Sequence, residues 1–304
     1  MAYTYNRSIT IDHTKCGSSN STNFPALIHL NDATFKTVAN GGHVENASAF
    51  DVGFFSDSLG TTPLFWEILS YDGSTGEIWA FVKIPTLAHT VDTVIYTLYG
   101  DAGISTFQST VTSVWSAYYR VMHLNEAAHP YADVTSRADN STSTNDPTRV
   151  AGKFNFAQSF AGGSSQSITV STVAAAFEAS CSGWFKSSTT TGAHVVFDDR
   201  GNGSLNGQVL YVENNVPKFY RNNVGPITGS SGICDGNWHY LVGACLGAAG
   251  SGMRLYVDGA SVGSTGATGA AEAVGAAYIG RSADANLPRR GYHRNDEAGD
   301  SRSD

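Results

Sequence analysis

Alternation of apolar and polar residues with a period of two dominates the chain. Ser8-Ile9-Thr10-Ile11-Asp12 steps between the two kinds, which puts successive side chains on opposite faces of a half-buried strand. Phe24-Pro25-Ala26-Leu27-Ile28-His29-Leu30 reads as a second strand, with Pro25 at its start, where a missing N–H is tolerated. Residues 33–40 suit one or two helical turns ended by Gly41-Gly42. Phe50 to Phe55 and Leu64 to Ser70 are further strands, separated by turn residues at 58–63. Ile78-Trp79-Ala80-Phe81-Val82-Lys83-Ile84 is apolar on both alternations, so it should be a central strand covered on both faces. Val94 to Gly100 closes this block, and the polar stretch Asp101–Ser113 suggests a linker.

A second block starts near Val114-Trp115. Its first expected strand is Tyr119-Arg120-Val121-Met122-His123-Leu124, followed by a long surface loop over the Asn-, Asp-, Ser- and Thr-rich residues 125–148. Strand signals then recur at 154–156, 167–170, 178–186, 194–197, 208–212, 218–220, 238–245, 253–258 and 277–279. Short strands broken by Gly and Asn turns make a sandwich or barrel pattern. No stretch sustains a 3.6-residue period, so helix content should be low.

The length of 304 residues allows one large domain or two medium ones. Charged residues make up only 14% of the chain, which favours a turn-rich sandwich over a helical bundle. A net charge of −8 argues against a nucleic-acid partner, whose phosphates it would repel. No run approaches the roughly 18 apolar residues of a membrane-spanning helix. Met1 to Arg7 lacks the charged-then-apolar layout of a secretory signal, so standard export is not encoded unless the start is misassigned or a leader was removed. Cys16, Cys181, Cys234 and Cys245 lack zinc-site spacing. They read as small buried hydrophobes, or as a disulfide within the second half.

Specific motifs sharpen this picture. Phe177 to Phe185, Trp238-His239-Tyr240-Leu241-Val242-Gly243, Met253 to Gly259 and Tyr278-Ile279-Gly280-Arg281 resemble the laminin-G-like, concanavalin A-like jelly roll. Within them, Asp258-Gly259 has the chemistry of a tight hairpin turn. The first block resembles the DUF2341 domain through residues 7–12, Gly41-Gly42, residues 62–68, Tyr71-Asp72, residues 79–85 and residues 92–100. That family commonly precedes laminin-G-like sandwiches in surface-exposed or phage-associated proteins. The fold expected is therefore all-β, two β-sandwich domains, the second a concanavalin A-like (LamG) jelly roll. The boundaries expected are 1–112 and 113–282, with an atypical polar tail at 283–304. The jelly-roll family usually ends in an apolar strand beside its first strand. Here nothing bulky and apolar follows Leu287 except Tyr292, which suggests a truncation or frame slip and an unpaired edge along Tyr119–Leu124.

Candidate chemistry is sparse. Concanavalin-like glycosidases place acids close together on one strand, in a Glu-x-Asp-x-x-Glu arrangement, and no such triplet occurs here. Glu45, Glu67, Glu77, Glu126, Glu178 and Glu213 are isolated, and a strand–turn–helix elbow for a serine nucleophile has no place in this all-β pattern. His239 reads as structural. The resemblance makes calcium the candidate ion, held by Asp198, Asp199 and Asn202 of Asp198-Asp199-Arg200-Gly201-Asn202, although Ala161 replaces an acid of a related family turn. Trp184, Tyr211 and Tyr220 are the rings that could stack on the C–H face of a pyranose. The expected function is non-catalytic binding of a glycan or cell-surface polymer through rim loops. The alternative is a virion accessory or tail adhesin with virion or envelope partners, and a polysaccharide hydrolase ranks third. Each reading places the protein outside the cytoplasm, at a cell surface or on a virion.

Overall fold

The computed structural model describes residues 3–142, 145–161, 166–171, 180–200, 207–221, 224–230, 232–245, 252–266 and 276–281. The chain is all-β and divides into two compact units, residues 1–122 with 133–138, and 123–132 with 139–304.

The first unit holds β1 (Tyr5–Ile11), β2 (Ser21–Asn31), β3 (Val52–Phe55), β4 (Phe65–Asp72), β5 (Glu77–Leu87), β6 (Thr93–Tyr99) and the single turn α1 (Val111–Val114). They form two antiparallel three-stranded sheets, β1-β6-β3 and β2-β5-β4. Phe35, Phe54, Trp66, Ile78, Ile84 and Ile95 fill the core of this sandwich. The expected helical turns at 33–40 are the short 3-10 segments Ala33–Phe35 and Val38–Asn40, the second closed by Gly41 at φ 84°. Pro25 lies within β2, which is an edge strand, so its missing N–H is tolerated there.

β5 is central, as its double apolar alternation suggests. One face enters the core through Ile78, Ala80, Val82 and Ile84. Rings cover the other: His29 stacks on Trp79 at 3.7 Å, and Phe81 meets Trp115 edge-on at 4.6 Å. Residues 101–113, where composition suggests a linker, lie on this unit. Phe107 packs at 6.0 Å from Trp66, and Ser109 Oγ accepts the Trp66 backbone N–H at 2.7 Å. Asp51 is fully buried and takes backbone N–H bonds from Glu45, Asn46 and Gly100, which pins the loop before β3.

Two expectations for the middle of the chain fail. Tyr119–Leu124 forms no strand. Val121 spends its backbone groups on the Asp133 carboxylate and the Val134 N–H, and Leu124 turns to φ 57°, outside the extended region. The unpaired edge expected there therefore does not exist. The described residues of 125–147 are irregular but not wholly superficial, since Tyr131, Asp133, Thr135 and Ser141 are buried. Local hydrogen bonds make that burial affordable: Ser141 Oγ accepts from Tyr131 N, and both Asp133 oxygens bind Thr135.

The second unit contains β7 (Thr148–Ala151), β8 (Phe156–Ser159), β9 (Ile168–Val170), β10 (Ser180–Phe185), β11 (Ala193–Asp198) and β12 (Gln208–Glu213). It continues with β13 (Val216–Arg221), β14 (Val224–Thr228), β15 (His239–Cys245), β16 (Met253–Val257), β17 (Ala260–Thr265) and β18 (Ala277–Ile279). A six-stranded sheet, β14-β13-β12-β11-β18-β9, faces a four-stranded one, β10-β15-β16-β17, and β7-β8 is a separate hairpin. Leu210, Val212, Phe219, Leu241 and Leu255 pack between the sheets. Asn214-Asn215 and Asp258-Gly259 have positive φ at both turn positions, the conformation a two-residue hairpin demands. The sheets approach closely where side chains are missing: a methyl on Gly243 would overlap the Phe219 ring, and one on Gly263 would overlap Ile227. No disulfide joins Cys16, Cys181, Cys234 and Cys245. The polar tail at 283–304, Asn202 and Phe177–Ala179 lie outside the described residues.

Candidate functional site

Alternation splits the four-stranded sheet cleanly. Cys181, Phe185, Leu241, Cys245, Met253 and Leu255 face the core. The opposite set therefore faces outward. Its register gives three rows across the strands. Trp184 is opposite Tyr240, and Ser182 is opposite Val242, which is opposite Tyr256 and then Ser261. The last row runs Ser180, Ala244, Arg254, Ser264. The result is an outward surface with two aromatic rings at one end, Val242 and Tyr256 among serines in the middle, and a guanidinium at the other end.

Trp184 remains 39% exposed, which is unusual for so large a ring on a strand. Neighbours fix its orientation. Tyr240 leans against it at 5.2 Å and 43°, Phe154 meets it edge-on at 5.4 Å, and the Lys153 ammonium lies over the ring, 5.4 Å from its centre. The Tyr240 hydroxyl donates to Ser182 Oγ at 2.9 Å, so a ring edge and two hydroxyls share one patch. Lys153 and Phe154 come from the turn of the β7-β8 hairpin.

Beside this patch, His239 is held from both sides. Its Nδ1 lies 2.7 Å from Asp258 Oδ2, and its Nε2 lies 3.1 Å from Asp235 Oδ1. Burial works against the charged ring, but the hydrogen bonds to Asp258 and Asp235 prevail and raise its pKa. Asp235 is lowered to about 2 by Asn237 and then by His239. Asp258 Oδ1 also accepts the Tyr240 N–H, so the clamp fixes the strand end that carries Tyr240.

The other rings singled out from sequence lie elsewhere. Tyr211 and Tyr220 belong to the six-stranded sheet, on β12 and β13, so the three aromatics are not brought together. Tyr211 is only 4% exposed, and burial pushes its hydroxyl up to about 12. Tyr220 is half-buried, with the Arg200 guanidinium 5.8 Å from its ring centre.

Asp198 and Asp199 are both buried. Asp198 Oδ1 and Oδ2 each bind the Arg200 side chain, at 3.0 and 2.7 Å, and Oδ1 also takes the Arg200 backbone N–H. Asp199 Oδ1 accepts from Gln208 N. This donor set does not fit calcium as it stands, because a buried guanidinium already occupies the Asp198 oxygens. Three of the isolated glutamates are likewise engaged. Glu67 accepts from Trp115 Nε1 at 2.6 Å, Glu77 from His29 and Trp79, and Glu213 pairs with Lys218.

Sequence reasoning missed two features of the first unit. Asp12, His13 and Asp92 bring three ligand atoms within 4.8 Å of one another, although His13 and Asp92 are 79 residues apart and no spacing signals it. A hollow of about 450 Å³ is lined by Phe50, Glu67, Ile68, Tyr71, Phe107 and Val111. No helix among the described residues is long and apolar enough to cross a membrane.

Comparison with known proteins agrees with the architecture of the second unit. The Laminin_G_3 family model, described as the concanavalin A-like lectin/glucanases superfamily, matches residues 160–292. No curated protein matches the chain. Among solved structures, the chain is similar to a heptameric SAP-like pentraxin from Limulus polyphemus, at 14% identity and a TM-score of 0.32. That match covers 40% of this chain and 61% of the pentraxin, so the chain spans less than two thirds of that relative. A carbohydrate-binding module, CBM66, from Bacillus subtilis matches at 14% identity and a TM-score of 0.29, over 44% of this chain and 84% of the module. A putative carbohydrate-binding protein from Bacteroides ovatus matches at 11% identity and a TM-score of 0.33, over 91% of this chain and 69% of that one.

Proposed function

We propose that the protein is a non-catalytic carbohydrate-binding protein, and that the outer face of the four-stranded sheet around Trp184 is where a glycan rests. The carrying observation is the 39% exposed Trp184 ring, held by Tyr240 and Phe154 beside the Ser182 and Tyr240 hydroxyls. An exposed ring of fixed orientation offers the apolar face of a sugar its partner, and adjacent hydroxyls supply directional bonds. The match of residues 160–292 to the concanavalin A-like lectin/glucanases superfamily supports a carbohydrate as the ligand. The engagement of Glu67, Glu77 and Glu213 in internal contacts favours binding over hydrolysis.

The site differs from the rim loops that the sequence favours: it is a sheet face. We also read the first unit as DUF2341-like, because residues 7–12, 62–68, 79–85 and 92–100 fall largely on its strands. A surface polymer as ligand would place the protein at a cell surface or on a virion, which fractionation of envelopes and purified virions would test. Affinity electrophoresis against a polysaccharide panel tests the main reading. Retardation by at least one glycan, lost in Trp184→Ala, is expected. Retardation by none, or full binding by the variant, would reject it.

A further inference from the structure

The charge pattern of the same face narrows its ligand. The chain has 26 acidic and 18 basic residues, yet β10, β15, β16 and β17 contain no Asp or Glu at all. Their outer surface carries Arg254, and Lys153 stands over Trp184 from the neighbouring hairpin. Both cations are exposed, and neither has a carboxylate partner among the described residues. Asp235 and Asp258, which flank β15 and β16, are engaged with His239, and Glu178, two residues before β10, lies outside the described residues. Among the described residues, these four strands thus carry no acid, while one cation stands on the sheet and a second reaches over it from the hairpin.

We propose that this face takes an acidic oligosaccharide, a segment of a uronic-acid polymer, with one sugar ring on Trp184 and carboxylates at Lys153 and Arg254. This rests on the carbohydrate-binding reading and specifies its ligand class. Trp184 and Arg254 are two strands and four residues of register apart, which the usual sheet spacings convert to roughly 16 Å. A single sugar cannot bridge that distance, whereas a short oligomer can. The floor between them is low at Ser180, Ser182, Ala244 and Ser264, with the half-buried Val242 and Tyr256 in the middle row. An anion at Lys153 keeps its sugar against the ring that already holds the ammonium.

The test is calorimetric titration of the full chain with hexagalacturonate and with its fully methyl-esterified, uncharged counterpart. The acid should bind about ten-fold more tightly than the ester, and that preference should shrink as ionic strength rises. Lys153→Gln and Arg254→Gln should each erode the preference several-fold, and the double variant should abolish it. These residues are exposed, so the variants keep the core intact. Equal binding of acid and ester, or a preference unmoved by both substitutions, overturns the proposal. So does acid binding that survives Trp184→Ala. If a neutral polymer is retained through Trp184 while the acid is not, this inference fails and the carbohydrate-binding reading stands. If no glycan binds, both fall.

Discussion

The Nδ1 of His239 lies 2.7 Å from Oδ2 of Asp258, nineteen residues further along the chain and at the tip of the β16-β17 hairpin. Asp235 lies on its other nitrogen, so the protonated ring can donate on both sides, which the neutral ring cannot. The contact therefore ties a hairpin turn to the strand before it through a titratable group.

A pH dependence follows from that clamp. His239 has a raised pKa, so its contribution is complete below the unfolded value of about 6.5 and fades as pH rises through the folded value. The Asp235 contribution has the opposite sense, present above its ordinary value of 3.8 and lost as pH falls towards about 2. Melting of the wild-type protein should drop from pH 6 to pH 8, and His239→Gln should flatten that slope. Parallel slopes in the two proteins would contradict the assignment.

Gly243→Ala should destabilise the second unit by about 1–3 kcal/mol, because its methyl would have to displace the Phe219 ring in a filled core. Ser182→Ala, one residue off on the neighbouring strand and facing outward, should cost far less. Urea titration of both variants compares the two faces of one sheet directly.

Trp115→Phe removes the N–H that donates to the buried Glu67 carboxylate and should cost about 1–3 kcal/mol. Glu67→Gln keeps an acceptor at the same place and should cost less. Thermal unfolding of the two variants separates loss of the bond from loss of the charge.

Much of the architecture can be read from the sequence, because each strand that buries one face advertises it with a period of two. Met253–Val257 is of this kind, while Ile78–Ile84, apolar on both alternations, reads as a strand covered on both faces. The strands that pattern reading passes over have other compositions. Ala260–Thr265 has only small side chains plus one Val, and Val224–Thr228 carries Gly225-Pro226 on an edge. Tyr119–Leu124 errs the other way: its apolar run is real, but Asp133 and Val134 claim the backbone. At the candidate site, Trp184 was legible as an aromatic and not as an exposed one. Its partners Lys153 and Phe154 come from a distant hairpin that no local signal connects to it.

Calcium should leave the melting temperature unchanged, since Arg200 already neutralises Asp198 within the interior. A clear rise that persists in Asp92→Asn, where the Asp12, His13 and Asp92 cluster is broken, would show that the ion displaces the guanidinium. Scanning calorimetry with calcium and with a chelator decides between these outcomes.

The strict division of labour along β10, β15 and β16 has an evolutionary corollary. Odd and even positions answer to different constraints, the buried set to cohesion and the exposed set to whatever the outside world presents. Substitutions at Ser180, Ser182, Val242, Arg254 or Tyr256 can accumulate without disturbing the glycines and leucines beneath them. A lineage could thus retarget this surface to a new polymer in a few steps while keeping its scaffold.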